Sequence, residues 1–535
     1  MTAPLTGAVA GTRPLVRLVL RRDRLRLPLW LGGITAVTWA SANAVVGFYG
    51  TPEKQAGYAA TVEDSAVSRL MGGVPRDVDT IGGIISFEVT SVAAVAVALM
   101  VTFLVVRHTR AEEESGRAEL VRSTVVGRHA ALVATLVVSL AASIVLGVLL
   151  AAVLVTADVT LGAAVRFGAG MAGAGVVFTG IAGVAAQVAG SARHALGWGV
   201  TAVLALFLVR GYGALDETWW TWASPFGWQD ELRPFGDDAR WWPLGLSVTA
   251  AAVALALACW LASHRDFGQG LVAERPGPEH AGAWLGTPAG LALRQQRGLV
   301  AGWGVGLLVL AVVFGAVSRE VRTMIESNPE VAQMILAGID DVVVGYLAYV
   351  VNFLGVTVSA YAVVSALRLR HEESSGQAVN VLATAVSRTR WALGGIAVTC
   401  GSTLGVLALT GLGVGVTHRW VGAEDSTVSG VGELLLAAVA TAPAVLLLAS
   451  VVFLLHGWAP RWVHLSWLPV AWALVQAYLG DLLDLPGWAR GLSPFHHLPV
   501  MPAEDFRWAP AAALLTLAVV LTALGVVGLR RRDLD

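Results

Sequence analysis

The fold class this sequence predicts is an all-α polytopic membrane protein, with about twelve transmembrane helices in two parallel six-helix repeats. Three observations predict it. The 535 residues are 56% hydrophobic and 14% charged, with a mean hydropathy of +0.69, whereas soluble domains are about 25% charged. Apolar runs of about 18 residues or more follow one another, each long enough to cross roughly 30 Å of hydrocarbon. A polar island then recurs. Glu112, Glu113, Ser115, Gly116, Ala118, Val121, Thr124, Val126 and Arg128 match Glu372, Glu373, Ser375, Gly376, Ala378, Val381, Thr384, Val386 and Arg388 at a constant offset of 260. Inside lipid only helices and closed barrels satisfy the backbone. The runs are continuous rather than alternating, so they read as helices.

The runs place spans at roughly 28–48, 84–106, 129–156, 166–189, 195–210, 243–263, 299–317, 344–367, 391–417, 431–456, 463–480 and 509–529. With both termini inside, two-thirds of the 36 Lys and Arg residues fall on the inner segments, as the positive-inside rule requires. Ala40-Ser41-Ala42 in the first run superficially resembles a leader cleavage site. However, Arg21, Arg24 and Trp30 recur as Arg294, Arg297 and Trp303 before the seventh span. That recurrence marks the first run as a retained span with a basic lead-in. Ser224-Pro225-Phe226 recurs as Ser493-Pro494-Phe495, and Trp198 corresponds to Trp467. Both halves begin and end inside, so the repeat is parallel rather than inverted. The Gly/Pro-rich linker 264–293 divides a first half, 1–263, from a second, 294–535.

Composition also excludes function classes. A net charge of −1 argues against a nucleic-acid partner. Cys259 and Cys400 lie inside apolar runs and read as small core residues rather than a disulfide. Lys54 is the only lysine and is followed by Gln55, so the Gly-Lys-Ser/Thr of a phosphate-binding loop is missing. No nucleophile–base pair or zinc-ligand spacing stands out, and His496-His497 reads as a polar loop pair. The expectation is a transporter chain without catalytic residues or a metal.

The islands are the best pointer to function. Ser115 and Ser375 read as N-caps of helices two or three turns long, with Glu112, Glu113 and Glu114 at the positive end of the first. Ala118 and Val121 would share one face with Leu120 or Val125, as would Ala378, Val381 and Leu382 in the second copy. Such a helix suits a docking knob for a partner at the inner surface. Burial in the lipid headgroups is the plainer alternative, and three consecutive acids fit it poorly. Glu-x-Ser-Gly-x-Ala followed by Thr-x-Val-x-Arg resembles the loop after the second span of type-2 ABC exporter permeases. The resemblance implies that each island is a coupling helix seated in a groove of a separate ATPase. Two copies of a cytoplasmic ABC ATPase would then bind ATP and Mg, and this chain no cofactor. It also implies amphipathic lead-in helices, carrying Arg21 and Arg24, and Arg294 and Arg297. The fused layout and the Ser-Pro-Phe outer loops are similar to bacterial exporters of polyketide antibiotics. A hydrophobic or amphipathic small molecule leaving across the bacterial plasma membrane is what that similarity implies. Arg117 and Glu119 become Gln377 and Val379, so the two copies would couple unequally.

Other candidates are weaker. Glu88 lies near one end of the second span and Asn352 within the eighth, preceded by Asp340 and Asp341. An ionisable residue in a span is a candidate pathway residue, and interfacial solvation is the alternative. The loop 212–242 holds six tryptophans, suiting interfacial anchors or a lid. An ion-coupled transporter would repeat its intramembrane charges between halves, and a lipid-linked transferase would cluster charge in the outer loops. Neither pattern is present.

Overall fold

The computed structural model describes residues 5–63, 65–157, 159–272, 279–318, 341–421, 430–479 and 486–533. Asp340, part of the linker 264–293 and the end of the predicted eleventh span lie outside them. Among the described residues every regular element is helical, and 11 helices are long and apolar enough to cross a membrane. The chain divides into two compact units, Met1–Pro276 and Gly277–Asp535. The first holds spanning helices Arg26–Phe48, Ile81–His108, Ala130–Val155, Leu161–Val188, Ala192–Leu215 and Trp242–His264. The second holds Pro288–Val317, Val342–Ser374, Arg388–Trp420, the pair Val431–Ala440 and Ala442–Trp458, and Trp508–Arg531.

The predicted eleventh span is the 3-10 segment Pro460–Ser466 followed by Trp467–Leu479, which reaches the edge of the described residues. One expected element comes out differently. The lead-in Thr12–Arg22 is separate from the first span, whereas Arg294 and Arg297 lie within the continuous helix Pro288–Val317. Pro28 disfavours the helix just upstream, and its repeat position is Ala301.

Each unit is built around its second and fourth spans. In the first unit 72% of the apolar window of each is buried, against 22% or less for the first, fifth and sixth. In the second unit the corresponding helices are both 67% buried. Lipid tails are as apolar as leucine, so helices in a bilayer associate through close packing rather than hydrophobic expulsion. Glycines supply that closeness. A Cβ at Gly168 would overlap the carbonyl oxygen of Gly147, and one at Gly457 would overlap that of Gly525. Ala130–Val155 thus sits directly against Leu161–Val188, and Ala442–Trp458 against Trp508–Arg531.

Gly457→Val is expected to destabilise the second unit by about 1–3 kcal/mol, the usual range for overpacking. Thermal melting in detergent checks this, with Gly432→Val as the control, because a Cβ at Gly432 meets no atom within 4 Å.

Candidate docking and coupling site

The islands are built the same way in both units. In the first, the second spanning helix is interrupted at Thr109, where φ is −118° and ψ −88°, and resumes over Arg110–Glu114. In the second, Val342–Ser374 runs unbroken. Both then turn at a glycine, Gly116 or Gly376, each with φ of 74°, a left-handed conformation that glycine adopts without steric cost. Arg117–Arg122 and Gln377–Leu382 follow, only six residues each. Ser115 and Ser375 are therefore not N-caps. They close the preceding helix, their hydroxyls donating to the Glu112 and Glu372 carbonyls at 3.2 and 3.4 Å. Thr124 and Thr384 end the short helices by donating to the Val121 and Val381 carbonyls at 2.6 and 2.7 Å.

The acids also point elsewhere than expected. Glu113 and Glu373 turn inward onto an arginine that directly follows the last span of their own unit. Arg265 Nη1 donates to Glu113 Oε2 at 2.9 Å, and its Nη2 to Glu113 Oε1. Arg532 holds Glu373 through Nη1 and Nη2 at 2.5 and 2.6 Å. The repeat-equivalent Arg110 and Arg370 support the same carboxylates, at 2.7 Å from Glu113 and 3.5 Å from Glu373. A polar residue at the end of the fourth span completes each cluster. Gln187 Oε1 accepts from Arg265 Nε at 2.7 Å, and His456 Nε2 lies 3.5 Å from Glu373. Arg110 also donates to the carbonyls of Gly190, Gly268 and Gln269. The Arg110 and Glu373 side chains are 2% and 1% exposed, so both charges depend on these partners.

A second tie runs from the far end of the island to the same place. Arg128 Nη2 donates to the Ser263 carbonyl and Arg388 Nη1 to the Arg532 carbonyl, both at 2.8 Å. Ser263 and Arg532 both lie at the end of the last span of their unit. The island is thus clamped at both ends to the terminus of the last span. The first acids differ between copies. Glu112 accepts from Arg22 of the lead-in helix at 2.7 Å, and Glu372 from Trp391 Nε1 at 3.1 Å. In the first unit the segment after the island also bonds the residues just before the lead-in helix, through Gly127 N to Ala10 O and His129 N to Ala8 O at 2.8 and 2.9 Å. Partial burial, with Arg128 and Arg122 adding to it, pulls the His129 imidazole below its usual range.

The expected docking faces are reversed as well. Ala378 is buried, Ala118 half-buried, and Val121 and Val381 half-buried, all turned inward. The outward faces carry Glu119, Leu120 and Val125 in the first copy and Val379, Asn380 and Ala385 in the second. Residues that match between copies build and tie the turn, while those that differ are presented to the outside.

The remaining sequence-singled residues are not gathered here. Arg21, Arg24, Arg294 and Arg297 are exposed on the lead-in segments. At the opposite ends of the helices, Ser224 caps Pro225–Asp230 and donates to the Leu206 carbonyl at 2.7 Å, while Phe226 packs on Phe178. Ser493, Pro494 and Phe495 are likewise buried in the second unit. Trp219 stacks on Trp220, and Trp222 on Trp242. Glu88 faces a groove of the first unit, and Asn352 a small cavity of the second.

Eleven membrane-length helices among the described residues define a multi-pass membrane protein. The family described as "Multidrug efflux system permease Rv1217c, C-terminal domain" matches residues 16–262 and again 285–530. The chain is also 37% identical, over 99% of its own length and 97% of the relative's, to the multidrug efflux system permease protein Rv1217c of Mycobacterium tuberculosis (strain ATCC 25618 / H37Rv). The chain therefore belongs to this family of efflux permeases.

A double-mutant cycle tests the clamp. Glu373→Gln leaves the partly buried Arg532 and Arg370 without their carboxylate and is expected to cost about 1–3 kcal/mol. Glu112→Gln breaks a partly solvated pair and should cost about 1 kcal/mol or less. Combining Glu373→Gln with Arg532→Met should show a coupling of about 1–3 kcal/mol in thermal or denaturant unfolding, and additive losses would refute the pairing.

Proposed function

We propose that this chain is the membrane-spanning subunit of an ATP-driven ABC exporter that extrudes hydrophobic or amphipathic, drug-like small molecules. The islands and both termini lie on the cytoplasmic side of a bacterial plasma membrane. Two copies of a separate ATPase, carrying ATP and Mg, seat one on each island. The observation that carries this reading is the duplicated island itself. A short helix with an exposed apolar residue, Leu120 at 73% or Val379 at 61% exposure, is fastened by an inward-turned carboxylate to the end of a spanning helix. A partner pressing on that helix moves a charged, hydrogen-bonded unit rather than a loose loop. The name of the related permease supports the substrate class. Arg265 and Arg532 give the push a route into the last span of each unit.

The exposed faces make the two seats unequal: Glu119-Leu120 is acidic and bulky, Val379-Asn380 neutral. Whether the gene beside this one encodes a soluble Walker A protein, and whether that protein co-purifies with this chain, tests the assignment. Two ATPase copies per chain are expected for the unaltered protein. Leu120→Lys and Val379→Lys each remove a central contact of ~2 kcal/mol, so each should retain about one copy, and the double variant none. Full retention by the double variant would overturn the docking assignment.

A further inference from the structure

The first and second spans of the first unit pack antiparallel and leave between them a groove with a cavity volume of about 510 Å³, the size of a small-molecule site. It runs from Arg26 to Ser41 on one helix and from Glu88 to Ala96 on the other. Fifteen residues of helix make that about 22 Å. Its walls include Leu29, Trp30, Ile34, Val37 and Val92. Glu88 is the only carboxylate lining it, one end removed from Arg26, the only guanidinium. Counting residues inward from the helix ends puts Glu88 level with Ser41. Tyr58, on the helix Pro52–Val62, donates its hydroxyl to Glu88 Oε1 at 2.5 Å. Burial, reinforced by Glu88, pushes that phenol far above its usual range, so it remains a donor. Among the described residues Glu88 forms no ion pair.

An anion in an apolar groove between spanning helices is costly unless a cation meets it. We propose that this groove binds a lipophilic organic cation: its charged centre against Glu88 and its apolar body along Trp30, Ile34 and Val37. Arg26 at the far end repels the charge and fixes the direction in which the molecule lies. Anionic amphiphiles are disfavoured by the same carboxylate. As the substrate class of an exporter this rests on the proposed function, but binding itself needs neither ATPase nor transport.

The test is equilibrium binding of tetraphenylphosphonium to the full chain in nanodiscs lacking choline lipids, with neutral triphenylphosphine oxide as the uncharged probe. Glu88→Gln is expected to weaken the cation about tenfold or more, the effect of one charge interaction at low dielectric, and to leave the neutral probe unchanged. Tyr58→Phe keeps the carboxylate and should retain cation binding. Ser41→Lys places an ammonium beside Glu88 and should abolish binding with the carboxylate intact, which keeps the proposal testable if Glu88→Gln does not fold. Equal cation affinity in Glu88→Gln or Ser41→Lys would overturn it. So would equal losses for both probes, or loss of binding in phosphatidylcholine bilayers, which would make the groove a lipid headgroup site. Loss of cation export with binding intact would instead count against the exporter reading alone.

Discussion

An inward-turned carboxylate facing an arginine beyond the last span organises each half of this permease. Glu113 with Arg265 and Glu373 with Arg532 are the closest contacts between the island and the end of the sixth spanning element of its unit. A charge removed from water is tolerated only when its lone pairs and protons are met. The surroundings follow from that demand. Arg110 and Arg370 approach from one turn earlier, Gln187 and His456 from the fourth span, and Gly190, Gly268 and Gln269 offer carbonyls to Arg110. The glycine turn at Gly116 or Gly376 is what allows the chain to reverse and bring Arg128 or Arg388 back to the same helix end.

The clamp also explains the pattern of likeness between the copies. Positions that match serve the turn: Ser115 and Ser375 close a helix, Thr124 and Thr384 end the next, and Ala118 and Ala378 pack inward. Positions that differ, Glu119 against Val379 and Leu120 against Asn380, face outward. A partner made of two identical subunits would therefore meet one scaffold with two different surfaces. Asymmetry enters again at the lead-in, where Glu112 reaches Arg22 but Glu372 bonds Trp391.

Much of the fold was legible in the sequence, because continuous apolar runs and a duplicated motif are strong signals. The second lead-in was not legible: Arg294 and Arg297 fall inside the continuous helix Pro288–Val317 rather than on a separate one. The island's position was legible, and its chemistry was not. Reading Ser115 as a cap with acids at a helix start used only near neighbours, yet the partners of Glu113 and Glu373 lie 152 and 159 residues away. A signal was available: Arg110 and Arg370 obey the same offset as the motif, and an arginine directly follows the last span in both halves. Inward-turned acids in a chain with so few charges are tied by long-range pairing, which local periodicity cannot report.

The central claim is that each clamp joins its own island to its own last span. Hydrogen–deuterium exchange on the full chain carrying Glu373→Gln measures this directly. Exchange should accelerate together at amides 376–384 and at 528–532, with 116–124 and 260–264 unchanged, and Glu113→Gln should give the mirror result. Acceleration confined to the island, or spread equally over both halves, would contradict the account.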